Sequence, residues 1–486
     1  MPTAAAAGVE TRYNLRYVWT ISLVAAMGGL LFGYDWVVIG GAKPFLEKYF
    51  GLGTEAQIGW ANSCALVGCL IGSLVSGALS DRFGRKKLLV LSAALFAVSS
   101  VLTGWAPSFT AFVTWRIAGG VAIGMASNLS PLYIAEVAPA HLRGRLVAAN
   151  QLTIVIGILA AQVVNWIIAV KLPHAATVAV PDLPATVRVS TEAVRQAWNQ
   201  AYGWRWMFTA VTVPSLLFLA GASFVPESPR WLMTRGERTR ARAVLARIGG
   251  EAYADFEVQD VARTLASMPA RGTRLAALAE PGLARILVVG IALAVLQQWS
   301  GINSLFNYAE EIYRSAGYGI SDILFNIVIT GSVNLAFTLV AMGTVDRMGR
   351  RTLMLVGCAG IGLSHVLLGA AYAMHWTGAL VLVFTLCSLG CYAVSLAPVT
   401  WVLIAEIFPN RVRGVAVSVA VSALWTACFI LTFAFPLLQG SIGIARTFWL
   451  CAAICFAGLV FVWTQVPETK GRTLEEIERE ARMTGR

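Results

Sequence analysis

Charge is scarce in this sequence. Asp, Glu, Lys and Arg make up 13% of its 486 residues, about half the ~25% usual in a soluble domain. Because 57% of the residues are hydrophobic, a water-soluble fold of this length is excluded: it could not hide so much apolar surface. The eight cysteines (Cys64, Cys69, Cys358, Cys387, Cys391, Cys428, Cys451 and Cys455) all lie in apolar stretches. None has metal-ligand spacing, so free thiols acting as small hydrophobes are expected, with no disulfide and no metal. A nucleophile–base pair, a metal cluster and a phosphate loop are also missing, which argues against an enzyme and against a cofactor. Arg12 and Arg16 precede the first apolar block and no A-x-A site follows it, so that block is expected to persist as a helix rather than leave as a signal peptide.

What is present is a series of apolar blocks of about 20 residues, the length a helix needs to cross the hydrocarbon core. They place spans near 17–41, 57–80, 87–106, 109–133, 145–170 and 203–225, then 283–308, 321–343, 351–374, 378–404, 411–438 and 444–465. Twelve spans make this an all-α membrane protein, with the lipid bilayer as its main solvent.

The net charge of +12 does not indicate nucleic acid, because it follows membrane sidedness. Of the 37 Lys and Arg residues, 28 fall on the side of the N-terminus and 8 on the other, with Arg116 inside a span. Both termini are therefore expected in the cytoplasm. The least apolar stretch, 226–282, carries Arg235, Arg238, Arg240, Arg242 and Arg247 on an amphipathic helix ending at Gly249-Gly250. It divides the chain into 1–226, a linker over 227–282, 283–466 and a tail at 467–486.

The halves repeat each other. Asp81-Arg82-Phe-Gly84-Arg85-Lys86 follows the second span and Asp346-Arg347-Met-Gly349-Arg350-Arg351 the eighth, 265 residues on. Glu136 with Arg143 after span four is matched by Glu406 with Arg413 after span ten, and Pro226-Glu227-Ser-Pro229-Arg230 by Pro467-Glu468-Thr. The last offset is shorter because the N-half holds an inserted loop, 171–202, with a short helix expected near 190–201. Parallel six-span repeats mark a carrier whose site lies between two pseudo-symmetric bundles.

The combination of these matched elements resembles the sugar porter branch of the major facilitator superfamily over nearly the whole chain. It is most similar to the bacterial proton-linked xylose and hexose carriers and, more distantly, to the animal glucose facilitators. The resemblance implies the major facilitator fold, alternating access, a multi-pass place in the inner (plasma) membrane, and a monosaccharide or polyol and protons as the transported partners; a monomer is expected. It also implies that Asp81, Glu136, Glu227, Asp346 and Glu406 pair with Arg82, Arg143, Arg230, Arg347 and Arg413 in a cytoplasmic network that breaks on inward opening, and that residues near 473–482 form a final helix. The plainer reading is that these loops only set topology.

Ionisable groups inside spans are costly and mark function. Asp35 and Arg116 can compensate each other if spans one and four pack together, either as a static ion pair or, as the resemblance implies, as the proton site and its modulator. A cation that moves relative to a carboxylate changes its proton affinity. His365 in span nine fits a packed neutral imidazole better than a proton relay, having no carboxylate partner in its own span. Gln297, Gln298 and Asn303 resemble the family's Q-Q-x-x-G-I-N. Amides offer a donor and an acceptor to each hydroxyl, although they also bond between membrane helices. With Phe32, Gln162, Asn307, Asn334, Trp401 and Trp425 they form the candidate substrate set. Departures from the family pattern are Trp36 after Asp35, Ile158 in place of Gln with Gln162 one turn on, Ala397 before Pro398, Asn307 in place of an aromatic, and Leu424 and Cys428 in place of amides. They point to a site altered from that of glucose. A facilitator without proton coupling, and a sugar sensor on a carrier scaffold, are the alternatives; the 21-residue tail after 465 is short for the sensor.

Overall fold

The computed structural model describes residues 13–171, 191–266, 280–376, 378–408, 412–466 and 468. Its elements are helices, with no strand among the described residues. Twelve helices are long and apolar enough to cross a membrane. Spans 1–6 are Leu15–Phe50, Glu55–Phe83, Arg85–Gly104, Phe109–Val137, Arg143–Val170 and Val194–Phe224; spans 7–12 are Leu283–Asn307, Asp322–Val345, Arg350–Ala373, Ala379–Ile404, Val415–Ile442 and Ile444–Gln465. All eight thiols are free.

Local chemistry sets the helix starts. Asn14 accepts from the Tyr17 amide and Ser108 from the Ala111 amide, while Thr54 and Gln57 cap each other's backbone at the start of span 2. These bonds satisfy donors that a helix N-terminus leaves orphaned. The starts of spans 3 and 9 are built differently and alike. Gly84 (φ 97°) and Gly349 (φ 91°) turn the chain in a conformation that a side chain rarely adopts. The space beside each is filled by a carboxylate from far along the sequence, Glu227 and Glu468 respectively. Glu227 accepts from the amides of Arg85 (2.9 Å) and Lys86 (3.2 Å), and Glu468 from those of Arg350 (2.9 Å) and Arg351 (3.1 Å). An anion is favoured at these helix N-termini by the free amides and the helix dipole.

Within the N-half, span 1 packs on span 5 and span 2 on span 4 through small residues. A Cβ at Gly33 would strike the Ile154 carbonyl, one at Gly157 that of Leu30, one at Gly68 that of Ile117 and one at Gly120 that of Ala65. Such backbone-to-backbone approach is how helices associate in lipid, where apolar side chains gain little from leaving their solvent.

The two halves touch at the end opposite to that where span 1 begins. Trp60 of span 2 meets Phe429 of span 11 edge-on at 6.2 Å, and a Cβ at Gly440 would sit 3.3 Å from Glu55. Trp166 of span 5 meets Phe325 at 6.0 Å, and Gly331 of span 8 faces the Gln162 amide.

The linker runs Pro229–Thr234, Arg238–Gly249 and Glu251–Ala266, the second helix ending at the expected Gly-Gly. It docks on the N-half: the Asn14 amide donates to the Ile248 carbonyl (2.8 Å), and Tyr13 contacts the rings of His141 and Tyr253 at 4.8 and 5.3 Å. Burial raises the Glu257 carboxyl above its ordinary range, with Asp260 adding to it and Arg143 opposing. The expected short helix forms at Thr191–Trp198 and leads into span 6. The expected tail helix lies outside the described residues.

Span 1 departs most from expectation, running nine residues past 41 as one helix to Phe50 with Lys43 and Pro44 inside it.

Candidate functional site

Asp35 and Arg116 do meet. Arg116 Nη1 lies 3.0 Å from Asp35 Oδ1 and 3.3 Å from its carbonyl oxygen, with both residues buried. The guanidinium also faces the Phe208 ring at 5.3 Å. Asp35 Oδ2 and Arg116 Nε have no hydrogen-bond partner among the described residues. Each charged group thus keeps one polar atom unmatched, which is rare for buried polar groups.

Next to this pair lies a narrow, partly open cleft lined by Trp36, Asn62, Ala65, Leu66, Cys69, Arg116, Ile123 and Asn307. It joins the arginine of the N-half to an amide of the C-half. Asn62 Oδ1 and Asn307 Oδ1 are likewise without a partner among the described residues. Of the lining residues Trp36 is aromatic, and behind it Phe32 and Trp425 complete a triad with centroids 5.6 to 6.0 Å apart. Flat apolar faces beside amides suit a ring that is apolar on its C–H side and polar at its rim.

The amide cluster of span 7 is partnered within itself. Gln297 Nε2 donates to the carbonyls of Leu396 (3.0 Å) and Ala397 (3.2 Å), Gln298 Nε2 to Gln297 Oε1 (3.3 Å), and Asn303 Nδ2 to Gln298 Oε1 and Cys428 Sγ (3.5 Å). The span is broken there: helix Pro281–Trp299 ends, Gly301 takes φ 86°, and Ile302–Asn307 begins afresh. Gln162 is buried against span 8 with its Oε1 unpartnered among the described residues. Of the candidate substrate set only Asn307 is in the pocket lining; Phe32, Gln162, Gln297, Gln298, Asn303, Asn334, Trp401 and Trp425 fall outside it. His365 is fully buried, with a ring nitrogen 2.8 Å from the Ser300 carbonyl oxygen, in line with a packed histidine.

The charged loops need a correction. Glu136 is held by Arg85 rather than Arg143, through Nε (3.0 Å) and Nη2 (3.1 Å), and it accepts from the Ser228 hydroxyl (2.5 Å). Arg85 also lies 3.4 Å from Asp81. Glu227 binds backbone amides rather than the Arg230 guanidinium. Arg82, Arg143 and Arg230 are exposed, Arg82 over the Phe83 ring and Arg143 close enough to Glu257 of the linker to oppose the rise of its carboxyl. The reason is position: Arg85 stands where a helix start turns its side chain back over spans 2 and 4. These contacts tie one half together while the far ends of the halves touch. In the C-half Arg347 is exposed, and the side chains of Asp346, Glu406 and Arg413 lie outside the described residues.

A second charged cluster went unread in the sequence. Lys43, 1% exposed, pairs across the halves with Glu311, lies 3.6 Å from Glu47, and sits 4.3 Å over the Tyr308 ring. Beside it Arg314 pairs with Glu310. The signal available was a lysine inside the apolar run from Trp36 to Leu46.

Comparison with known proteins places this geometry. The chain is 36% identical to the D-xylose-proton symporter of Escherichia coli (strain K12) over 97% of both chains. It is 36% identical to the arabinose-proton symporter of Bacillus subtilis (strain 168), covering 97% of this chain and 96% of that one. A structure of the E. coli xylose transporter XylE in a partially occluded inward open conformation superposes with TM-score 0.80 at 35% identity, over 94% of this chain and all of the other. The family described as sugar (and other) transporter matches residues 21–481, and the chain belongs to that family.

Proposed function

We propose that the chain carries a pentose or a closely related monosaccharide into the cell together with protons, by alternating access, across the inner membrane of a bacterium-type cell and without enzymatic chemistry. The observation that carries this reading is the buried Asp35–Arg116 pair with its unmatched atoms, next to a pocket that reaches Asn307 of the other half. A facilitator has no need for a carboxylate there; a symporter needs a group that gains and loses a proton during the cycle. Residues 1–226 and 283–466 serve as the two moving bundles, joined by 227–282, with both termini cytoplasmic. The touching ends of the halves then face outside. The pentose choice follows the relatives, which are described as xylose and arabinose symporters. Phe32, Trp36 and Trp425 cover the sugar's apolar face, and Gln162, Gln297, Gln298, Asn303 and Asn307 take its hydroxyls; Asn334 and Trp401 act from farther out. The charge clusters, with Arg85 in the place given to Arg143, govern inward opening.

Protonation of Asp35 from outside weakens its hold on Arg116 and lets the bundles rock with sugar bound; release of sugar and proton inside restores the pair. The test is uptake of D-xylose, L-arabinose and D-glucose into proteoliposomes with and without an outside-acid pH gradient. Accumulation of a pentose only with the gradient is expected. Equal uptake in both conditions refutes the coupling, and uptake of none of the three refutes the substrate class.

A further inference from the structure

Span 7 has a left-handed residue, Gly301, at its break, and the break leaves backbone carbonyls without their helical partners. Where the helix Pro281–Trp299 stops, its last carbonyls lose the amides that would continue the ladder. The amides of Ser304 and Leu305 both turn to the Gly301 carbonyl, so none of them serves Ser300. In water the Ser300 carbonyl would be solvated; here Ser300 is fully buried, where an unmatched carbonyl is costly.

It is matched from outside the span. His365 of span 9 places Nε2 at 2.8 Å from the Ser300 oxygen, and Cys455 Sγ of span 12 lies at 3.7 Å. A carbonyl only accepts, so Nε2 carries the hydrogen and the imidazole is held in the Nε2–H tautomer. The ring is wedged at this spot by Phe448 of span 12, 5.5 Å between centroids. A Cβ on Gly301 would meet His365 Nε2 and Cys451 Sγ at 3.1 and 3.0 Å, so the imidazole also fills the notch behind the left-handed residue. On the other side of the break, Gln298 stands two residues before Ser300 and Asn303 three after, joined to each other by a hydrogen bond. The angle between the two helical pieces therefore sets where this amide pair points.

We propose that His365 is a positioning residue for sugar binding: its Nε2–H holds the Ser300 carbonyl and fixes the break of span 7, so that Gln298 and Asn303 meet the substrate in register. His365 touches no sugar itself. The inference rests on the sugar-carrier reading for its affinity readout, whereas its structural readout does not.

The test uses the full-length protein in nanodiscs with His365→Leu, which removes the donor, and His365→Gln, whose amide nitrogen reaches about as far as Nε2. Hydrogen exchange of residues 300–307 should be about tenfold faster in the Leu variant, as local opening follows the lost hydrogen bond. D-xylose Kd should weaken about tenfold, the factor that corresponds to one lost buried hydrogen bond. The Gln variant should restore both. Accumulation at saturating D-xylose should survive in either variant, because the proton pair is untouched. Wild-type exchange over 300–307 in His365→Leu overturns the proposal even if its Tm falls, since His365 is then core packing. Loss of gradient-driven accumulation in both variants with unchanged Kd and exchange overturns it in favour of a proton relay. Should wild type bind no D-xylose, the sugar reading fails separately and the exchange of 300–307 still decides the role of His365. Should the Leu variant not fold, His365→Asn, whose amide is too short to reach Ser300, takes its place.

Discussion

Replacing Lys43 with Met removes a cation that joins the halves and leaves the apolar stem. Lys43 is 1% exposed and faces Glu311 of the other half, Glu47 of its own helix and the Tyr308 ring. Taking one partner from a buried pair costs about 3–5 kcal/mol, because the remaining charge is left buried and unmatched. Glu311 retains 23% of its side-chain exposure, which screens it, so about 3 kcal/mol is the fitting figure. That penalty falls on the conformation in which the outer ends touch, since separation of the halves lets water reach Glu311. At 1.4 kcal/mol per factor of ten, the equilibrium should move about 100-fold toward separated outer ends. Spin labels on Gly53→Cys and Gly319→Cys report it: each site has open space, with nothing within 4 Å at Gly53 and only Asp322 at 3.9 Å from Gly319. They stand on the outer loops of the two halves, and replacing the exposed Cys387 and the partly exposed Cys391 keeps the labelling specific. A longer distance population should grow in Lys43→Met and shrink again in Lys43→Met with Glu311→Gln, where both charges are gone. An unchanged distance distribution in the single variant would refute the argument.

Asp35→Asn mimics a permanently protonated carboxyl, so D-xylose exchange between the two sides should persist while accumulation under a pH gradient falls to equilibrium; accumulation at the wild-type level would make Asp35 structural. Arg85→Met should lower stability by about 3 kcal/mol by leaving Glu136 buried without a cation, whereas Arg143→Met, at an exposed position facing Glu257, should cost no more than about 1 kcal/mol; thermal unfolding in one detergent compares them, and equal losses would restore Arg143 to the network. Glu257 has its folded carboxyl raised by burial, so the docking that it contributes is fully present below the ordinary carboxylate range and is lost as pH rises through the raised value. Proteolysis of the linker should accordingly be slower at pH 5 than at pH 8 in wild type and equally slow at both in Glu257→Gln; no difference between the two pH values in wild type would refute the assignment.

The spans and their pairing into two halves were legible because lipid imposes a simple rule on sequence: about 20 apolar residues, then charge. Asp35 and Arg116 were legible for the converse reason, since a charge inside such a block demands a partner. Lys43 obeys the same demand, yet its partner sits on the other half, at Glu311, so a local reading ends the helix at 41 when the chain in fact continues. The D-R-x-G-R motif announced a charge cluster but not its geometry. Whether Arg82 or Arg85 turns inward depends on the helix that starts at Gly84, and that is set by Glu227 far along the chain. The amides of span 7 were visible as a polar cluster. Their mutual bonds, and the break between them, depend on backbone carbonyls from span 10 and on a histidine from span 9, neither of which has a signature near residues 297–303.

The matched carboxylates at Gly84 and Gly349 bear on how such a chain could arise. Each closes its own bundle, the end of the sixth span of a half returning to pin the start of its third. A half-length ancestor would already have possessed this fastening, and joining two copies required only a tether between finished units. The tether beyond Glu227 carries no part of either fastening, which leaves its arginine-rich helix Arg238–Gly249 outside the geometry that the two halves share.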